Sequence, residues 1–162
     1  MHSDENVQIV GIADLKVAAA PAILRTNLGS CVAVCVYAAE RRVGALLHVM
    51  MPAAGQAAAK ASLKKTKYAD TGIAEMMYKL KTAHGLEPPA LTAKIFGGAK
   101  VLPDVTQNIG NENEVAVRRN LAQYGIKIIA YKTGGERGYK INFDVSTGKV
   151  VCEIFGGQPE EY

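Results

Sequence analysis

Hydrophobic and polar positions along this chain fall mostly into short alternating runs separated by Gly- and Pro-containing turns, with a helical period emerging in two places. Val7-Gln8-Ile9-Val10 predicts a first strand ending near Gly11, residues 14–18 a sheet edge, and Ala19-Ala20-Pro21 a turn ahead of Ala22-Ile23-Leu24-Arg25. The most apolar stretch is Leu28-Gly29-Ser30-Cys31-Val32-Ala33-Val34-Cys35, answered by Gly44-Ala45-Leu46-Leu47-His48-Val49-Met50-Met51-Pro52. Val32, Val34 and Val36 alternate with Cys31, Ala33, Cys35 and Tyr37, and branched side chains at period two suit a pleated surface. The intervening Ala38-Ala39-Glu40-Arg41 is the length of a hairpin loop.

Helical spacing of Ile73, Met76, Met77 and Leu80 predicts a helix over 68–84, capped by Asp70 or Thr71 and stopped at Gly85. Val117, Leu121 and Tyr124 predict a second over 113–124, with cap-type Asn108 and Asn111 before it and Gly125 after it. Strands are predicted at 91–96, 126–131 (buried), 139–145 and 149–155, while residues 53–65 lack an apolar face and read as a connector. Gly97-Gly98 marks a tight turn with close backbone approach. Several strands, two helices and no repeat give a single layered α/β domain over 1–162, and hairpins at both ends exclude a purely parallel sheet. Residues 1–6 and 157–162 are expected to fray.

The apolar hairpin carries the candidate chemistry. If Tyr37 closes it against Arg42, Cys31 faces His48 directly, about 4.5–5.5 Å away at Cβ. An imidazole beside a thiol can take its proton and hold the thiolate, and backbone N–H groups at Ser30 and Cys31 can stabilise an oxyanion. The same two residues are also ordinary core residues in many sheets, so spacing alone leaves catalysis and structure both open.

Composition narrows the classes. Hydrophobic residues make up 49% and charged ones 21%, as in a globular domain, and no run approaches the ~20 apolar residues of a membrane span. The polar start lacks a secretion signal, so a cytoplasmic protein with reduced thiols is expected. Three cysteines without a Cys-x-x-Cys knuckle, and one nearby histidine, supply too few ligands for a metal; Cys35 and Cys152 read as core residues. The net charge of +4 is scattered and the chain has no Trp, which argues against nucleic acid and allows an acidic partner. Neither phosphate-loop nor dinucleotide glycine patterns occur, which argues against nucleotide binding.

"LGSCVAVCVY" followed by "GALLHVMMP" resembles the signature of the CheD family, the chemoreceptor glutamine deamidases of bacterial and archaeal chemotaxis. "KYADTGIAEMM", "KIFGGAKVL", "NIGNENEVAVRRNL" and "YKTGGERG" extend the resemblance from about Val7 to Gly157. It implies Cys31 as nucleophile, His48 as its base and Thr26 as third member, with backbone donors at Ser30 and Cys31. It also implies a three-layer α/β sandwich with mixed, largely antiparallel sheets, related to cysteine-dependent deamidating toxins. The activity implied is conversion of receptor glutamines to glutamate without a cofactor, under regulation by a CheC-type chemotaxis phosphatase. Two other readings stand beside it: a glutamyl methyl esterase using the same pair, and a non-catalytic module that docks the phosphatase or receptor.

Overall fold

Seven residues on either side of a four-residue turn, β4 (Val32–Ala38) and β5 (Val43–Val49), form the hairpin around which the computed structural model is built; it describes residues 4–162. Ahead of it lie β1 (Val7–Ile9), β2 (Leu15–Ala19) and β3 (Ile23–Leu28). After it come α1 (Ala69–His84), β6 (Thr92–Gly97), α2 (Ile109–Gln123), β7 (Lys127–Thr133), β8 (Tyr139–Asp144), β9 (Val150–Ile154) and β10 (Glu160–Glu161). The strands make two five-stranded sheets, ordered β1-β3-β8-β9-β10 and β2-β5-β4-β6-β7. Among the described strands β1–β3 and β6–β7 pair in parallel and the other strand pairs are antiparallel.

Alternation along the hairpin sorts its side chains into two cores. Val32, Val34 and Val36, with Ala45, Leu47 and Val49, pack on Ile73, Met76 and Leu80 of α1 and on Val117 and Leu121 of α2. The opposite face, Ala33, Cys35, Leu46 and Phe96, packs on Leu24, Leu28, Ile141 and Phe143 of the other sheet. The order of layers is therefore helices, sheet, sheet, which is the three-layer, mixed and largely antiparallel arrangement expected. β5 is buried at all seven positions because both its faces are covered, so its sequence is apolar apart from His48 rather than alternating. Each fully buried Leu, Ile or Phe here contributes roughly 1.5–3 kcal/mol of transfer free energy.

The hairpin register differs from expectation. Ala38 pairs with Val43 and Tyr37 with Gly44, so the ladder is offset by two residues from the pairing of Tyr37 with Arg42. Arg42 sits at φ 50 in the left-handed region and donates its N–H to the Ala39 carbonyl, which makes it a turn residue rather than a strand residue. Gly44, now opposite Tyr37, leaves room for Phe143, whose Cζ would lie 2.9 Å from a Cβ there. A two-residue offset preserves which face each side chain occupies, whereas a one-residue slip would reverse it. His48 consequently lies opposite Ala33, and Cys31 precedes the ladder.

Three further differences concern α2, α1 and β7. α2 begins at Ile109, capped by Asn108 accepting from the Asn111 N–H at 3.1 Å, so residues 109–112 belong to its first turn rather than preceding it. α1 has no side-chain cap; the Asp70 carboxylate instead accepts from the Ala54 N–H and Thr71 N–H. β7 is an edge strand rather than a buried one, with Ile129 and Tyr131 exposed and Arg118 stacked on the Tyr131 ring at 4.6 Å.

The 157–162 tail is not frayed. Glu160 and Glu161 pair with β9, Tyr162 exchanges backbone hydrogen bonds with Val150, and its ring packs edge-on against Phe96. Of the N-terminal residues expected to fray, 4–6 form a 3-10 turn and 1–3 lie outside the described residues.

Candidate active site

Thr26 and His48 come from different sheets and meet between them. Thr26 lies on β3, His48 on β5, and both are buried, at 3% and 1% exposure. The Thr26 Oγ1 is 2.8 Å from His48 Nδ1 and donates its own proton to the Val10 carbonyl at 2.6 Å. A hydroxyl has one proton. With that proton committed to Val10, Oγ1 can only accept from the ring, so Nδ1 carries the hydrogen and Nε2 is left with a free lone pair. Nε2 is buried and has no hydrogen-bond partner among the described residues. The ring is held further by its own backbone, which donates to Asp14 O at 3.0 Å and accepts from Ala13 N at 3.1 Å.

Cys31 packs against the inter-sheet core, the same layer that holds the His48 ring, two residues before the Ala33 that faces His48. The thiol and the imidazole are therefore not directly opposed: His48 faces Ala33, and Cys31 lies two residues earlier, before the first residue of the ladder. Thr26, His48 and Cys31 thus lie at one end of the hairpin, and Thr26 reaches the histidine across the sheet interface.

The backbone around Cys31 is fixed by the Gly97-Gly98 turn at the end of β6. Gly98 N–H donates to the Cys31 carbonyl at 2.9 Å and Ala99 N–H to the Gly29 carbonyl at 3.0 Å. Gly97 adopts φ 103, and a Cβ there would overlap the Cys31 carbonyl oxygen and press on Leu28. Close approach is the reason for these glycines, as the sequence suggested, and the nucleophile candidate's own carbonyl is what is approached. The Cys31 N–H makes no hydrogen bond among the described residues, leaving it free to receive a developing oxyanion. Beside Ser30 lies a shallow depression lined by Ala99, Val101, Leu102 and Val105, of which Leu102 is 64% exposed.

Burial sets the protonation states. Desolvation pulls His48 from its ordinary 6.5 down to about 4, against a smaller upward pull from the Val10 carbonyl. Burial also raises the Cys31 thiol. At neutral pH the pair therefore rests as thiol and neutral imidazole rather than as an ion pair. Cys35 is raised further and Cys152 is pushed up to about 11, again by burial first, so both are inert thiols in keeping with a core role.

Sequence reasoning missed two contributors. The Val10 carbonyl has no signature in residue type, because any residue supplies one. Asn113, fully buried on α2, donates from Nδ2 to the Ser30 and Met50 carbonyls, each at 3.1 Å. An asparagine two positions after a cap-type Asn111 looks like one more helix-start residue, and nothing in its spacing marked it. Asn108 and Asn111, singled out earlier, form the cap itself.

Fold and site together define a three-layer α/β protein in which a cysteine and a threonine-paired histidine lie at one end of the central hairpin. The family model described as CheD chemotactic sensory transduction matches residues 50–154, beginning just after His48. A protein named probable chemoreceptor glutamine deamidase CheD, from Desulforamulus reducens, is 42% identical over 91% of this chain and 90% of its own length. One named chemoreceptor glutamine deamidase CheD, from Thermotoga maritima, is 38% identical over 93% of each. These alignments extend across the stretch from Thr26 to His48. A crystal structure of Bacillus licheniformis hypothetical protein YfiH superposes with a TM-score of 0.48 at 15% identity, over 76% of this chain and half of that one. The chain belongs to the CheD family.

Proposed function

We propose that this protein is a chemoreceptor glutamine deamidase in which Cys31 is the nucleophile, His48 the general base and Thr26 the residue that sets the histidine's tautomer. The observation that carries the assignment of roles is the buried, unpartnered Nε2 of His48, with Nδ1 engaged by Thr26. A ring that served only the core would have both nitrogens satisfied. Here one nitrogen is left without a partner and free to act as a base.

The reaction begins with both groups neutral. As the Cys31 sulfur attacks the side-chain carboxamide carbon of a receptor glutamine, its proton passes to His48 Nε2, and the carbonyl oxygen becomes an oxyanion held by the Cys31 N–H. Collapse of this intermediate breaks the C–N bond while the imidazolium returns its proton to the departing nitrogen, releasing ammonia and leaving a thioester. Water then gives a proton to Nε2 and attacks the thioester carbon. Glutamate forms, and the sulfur leaves with the proton. Threonine, being neutral, orients the ring without adding the charge that would raise its pKa, so the base remains free at physiological pH.

The exposed apolar side chains of Val101, Leu102 and Val105 border the depression next to Ser30 and suit the apolar stripe of a receptor helix presenting its glutamine. A CheC-type phosphatase as regulator, and action in the cytoplasm, complete the proposal. No helix among the described residues is long and apolar enough to cross a membrane.

The test is ammonia release and intact mass of a chemoreceptor cytoplasmic fragment incubated with wild type, Cys31→Ala and His48→Ala. Conversion of amide to acid by wild type alone supports the assignment. Release of methanol from a methylated fragment without ammonia from the amide form would replace it with the esterase. Absence of both from a folded wild type would leave a docking module.

A further inference from the structure

A fully buried asparagine inside a helix is an unfavourable choice, since it must find partners for four hydrogen-bonding valences away from water. Asn113 finds two. Both partners are carbonyl oxygens, so the NH2 group must face them and the amide orientation is unambiguous. Its Oδ1 has no partner among the described residues, and a buried acceptor in that state is a cost to folding. Nothing about helix α2 requires that cost, because the neighbouring core positions Ala116, Val117 and Leu121 are all apolar.

The two carbonyls identify what the side chain does. Ser30 is the residue before Cys31, and Met50 lies two residues past His48, each just outside the last ladder pair, Val32 with Val49. Beyond that pair no backbone hydrogen bond among the described residues joins the two arms of the hairpin, and Met50 turns away to bond Lys67. One amide from α2 therefore replaces the missing ladder rung. Because a trans peptide directs its C=O and N–H oppositely, fixing the Ser30 carbonyl also fixes the direction of the Cys31 N–H. The next peptide is held by Gly98 at the Cys31 carbonyl, so both peptides flanking the cysteine are anchored, one by a side chain and one by backbone.

We propose that Asn113 is a positioning residue that staples the cysteine-bearing arm to the histidine-bearing arm and aims the Cys31 N–H at the substrate oxygen. The kinetic part of this rests on the deamidase reading; the effect on the thiol does not.

The experiment uses the full chain with Asn113→Asp, which keeps the shape but replaces the two donors by acceptors, and with Asn113→Ser, which is uncharged and too short to reach both carbonyls. Val117→Ala, a core truncation on the same helix, serves as the control for lost stability. Two readouts are taken well below each variant's Tm: kcat and KM for the receptor fragment, and the pH profile of Cys31 alkylation by iodoacetamide. Both Asn113 variants should lose about 100-fold in kcat, the scale of a misplacement of about 1 Å, with KM little changed. Their alkylation profile should shift toward that of an exposed thiol, while Val117→Ala lowers Tm and keeps both the wild-type kcat and the wild-type profile. Wild-type kcat in either folded Asn113 variant, or an equal loss in Val117→Ala, overturns the proposal. Should wild type itself release no ammonia, the deamidase reading fails, and the alkylation profile alone decides the staple: an unchanged profile in the Asn113 variants refutes it.

Discussion

Replacing Thr26 by valine removes one hydroxyl and almost no volume, so its consequences can be worked from hydrogen bonds alone. The hydroxyl satisfies two buried groups at once, the Val10 carbonyl at 2.6 Å and the His48 Nδ1–H at 2.8 Å. Each buried group left without a partner costs about 1–3 kcal/mol, so Thr26→Val should destabilise the fold by roughly 2–6 kcal/mol if nothing relaxes. Activity should suffer as well. Without a fixed acceptor at Nδ1 the ring can carry its proton on Nε2, where it no longer serves as a base, and general-base catalysis is worth roughly 10²–10⁴-fold.

Urea denaturation at 25 °C reads the first quantity as a lower midpoint at unchanged slope. Steady-state ammonia release reads the second. Thr26→Ser supplies the discriminating comparison: it keeps the hydroxyl and loses a methyl group, at a cost of about 1 kcal/mol, and should retain kcat within a few-fold. Wild-type turnover in Thr26→Val, or a Thr26→Ser enzyme as slow as Thr26→Val, would refute the tautomer assignment.

Two other predictions follow from the geometry. The His48 ring titrates near 6.5 when unfolded and near 4 when folded, so between those values the unfolded chain binds the extra proton and stability falls as pH is lowered. The loss, complete once pH is below about 4, amounts to about 3 kcal/mol, and denaturation midpoints of wild type and His48→Asn at pH 7 and pH 4 should show this part of the acid sensitivity disappearing in the variant. Gly97→Ala should destabilise by 1–3 kcal/mol or more through φ 103 alone, and should depress kcat beyond the effect of a core variant of equal Tm, because its Cβ displaces the Cys31 carbonyl; an equal kcat would show that the turn does not hold the nucleophile.

Much of the fold was legible because each strand and helix leaves a local period. The central hairpin, the helix over Ala69–His84 with Gly85 at its end, and the strands that build the two sheets all follow from spacing of apolar residues. Where the reading failed, the deciding interaction was distant in sequence. β7 carries Ile128, Ile129 and Tyr131, apolar enough for a central strand, and only the sheet order places it at an edge. The last residues look polar and free until β9 offers them a partner strand and Phe96 a ring to rest on.

The site divides along the same line. Period-two alternation put Cys31 and His48 on one face, because it survives a register error of two residues, and the Gly-Ser-Cys and His motifs pointed to the chemistry. It could not determine the register, which turns on Arg42 adopting a left-handed conformation and leaving the ladder. Nor could it decide what holds the pair. Thr26 reaches His48 from the other sheet, across 22 residues of chain, and Asn113 reaches Ser30 from a helix 83 residues away. Local periodicity carries no information about such meetings. They exist because two sheets and a helix layer close on the same end of one hairpin, and burial there makes every unpaired proton and lone pair count.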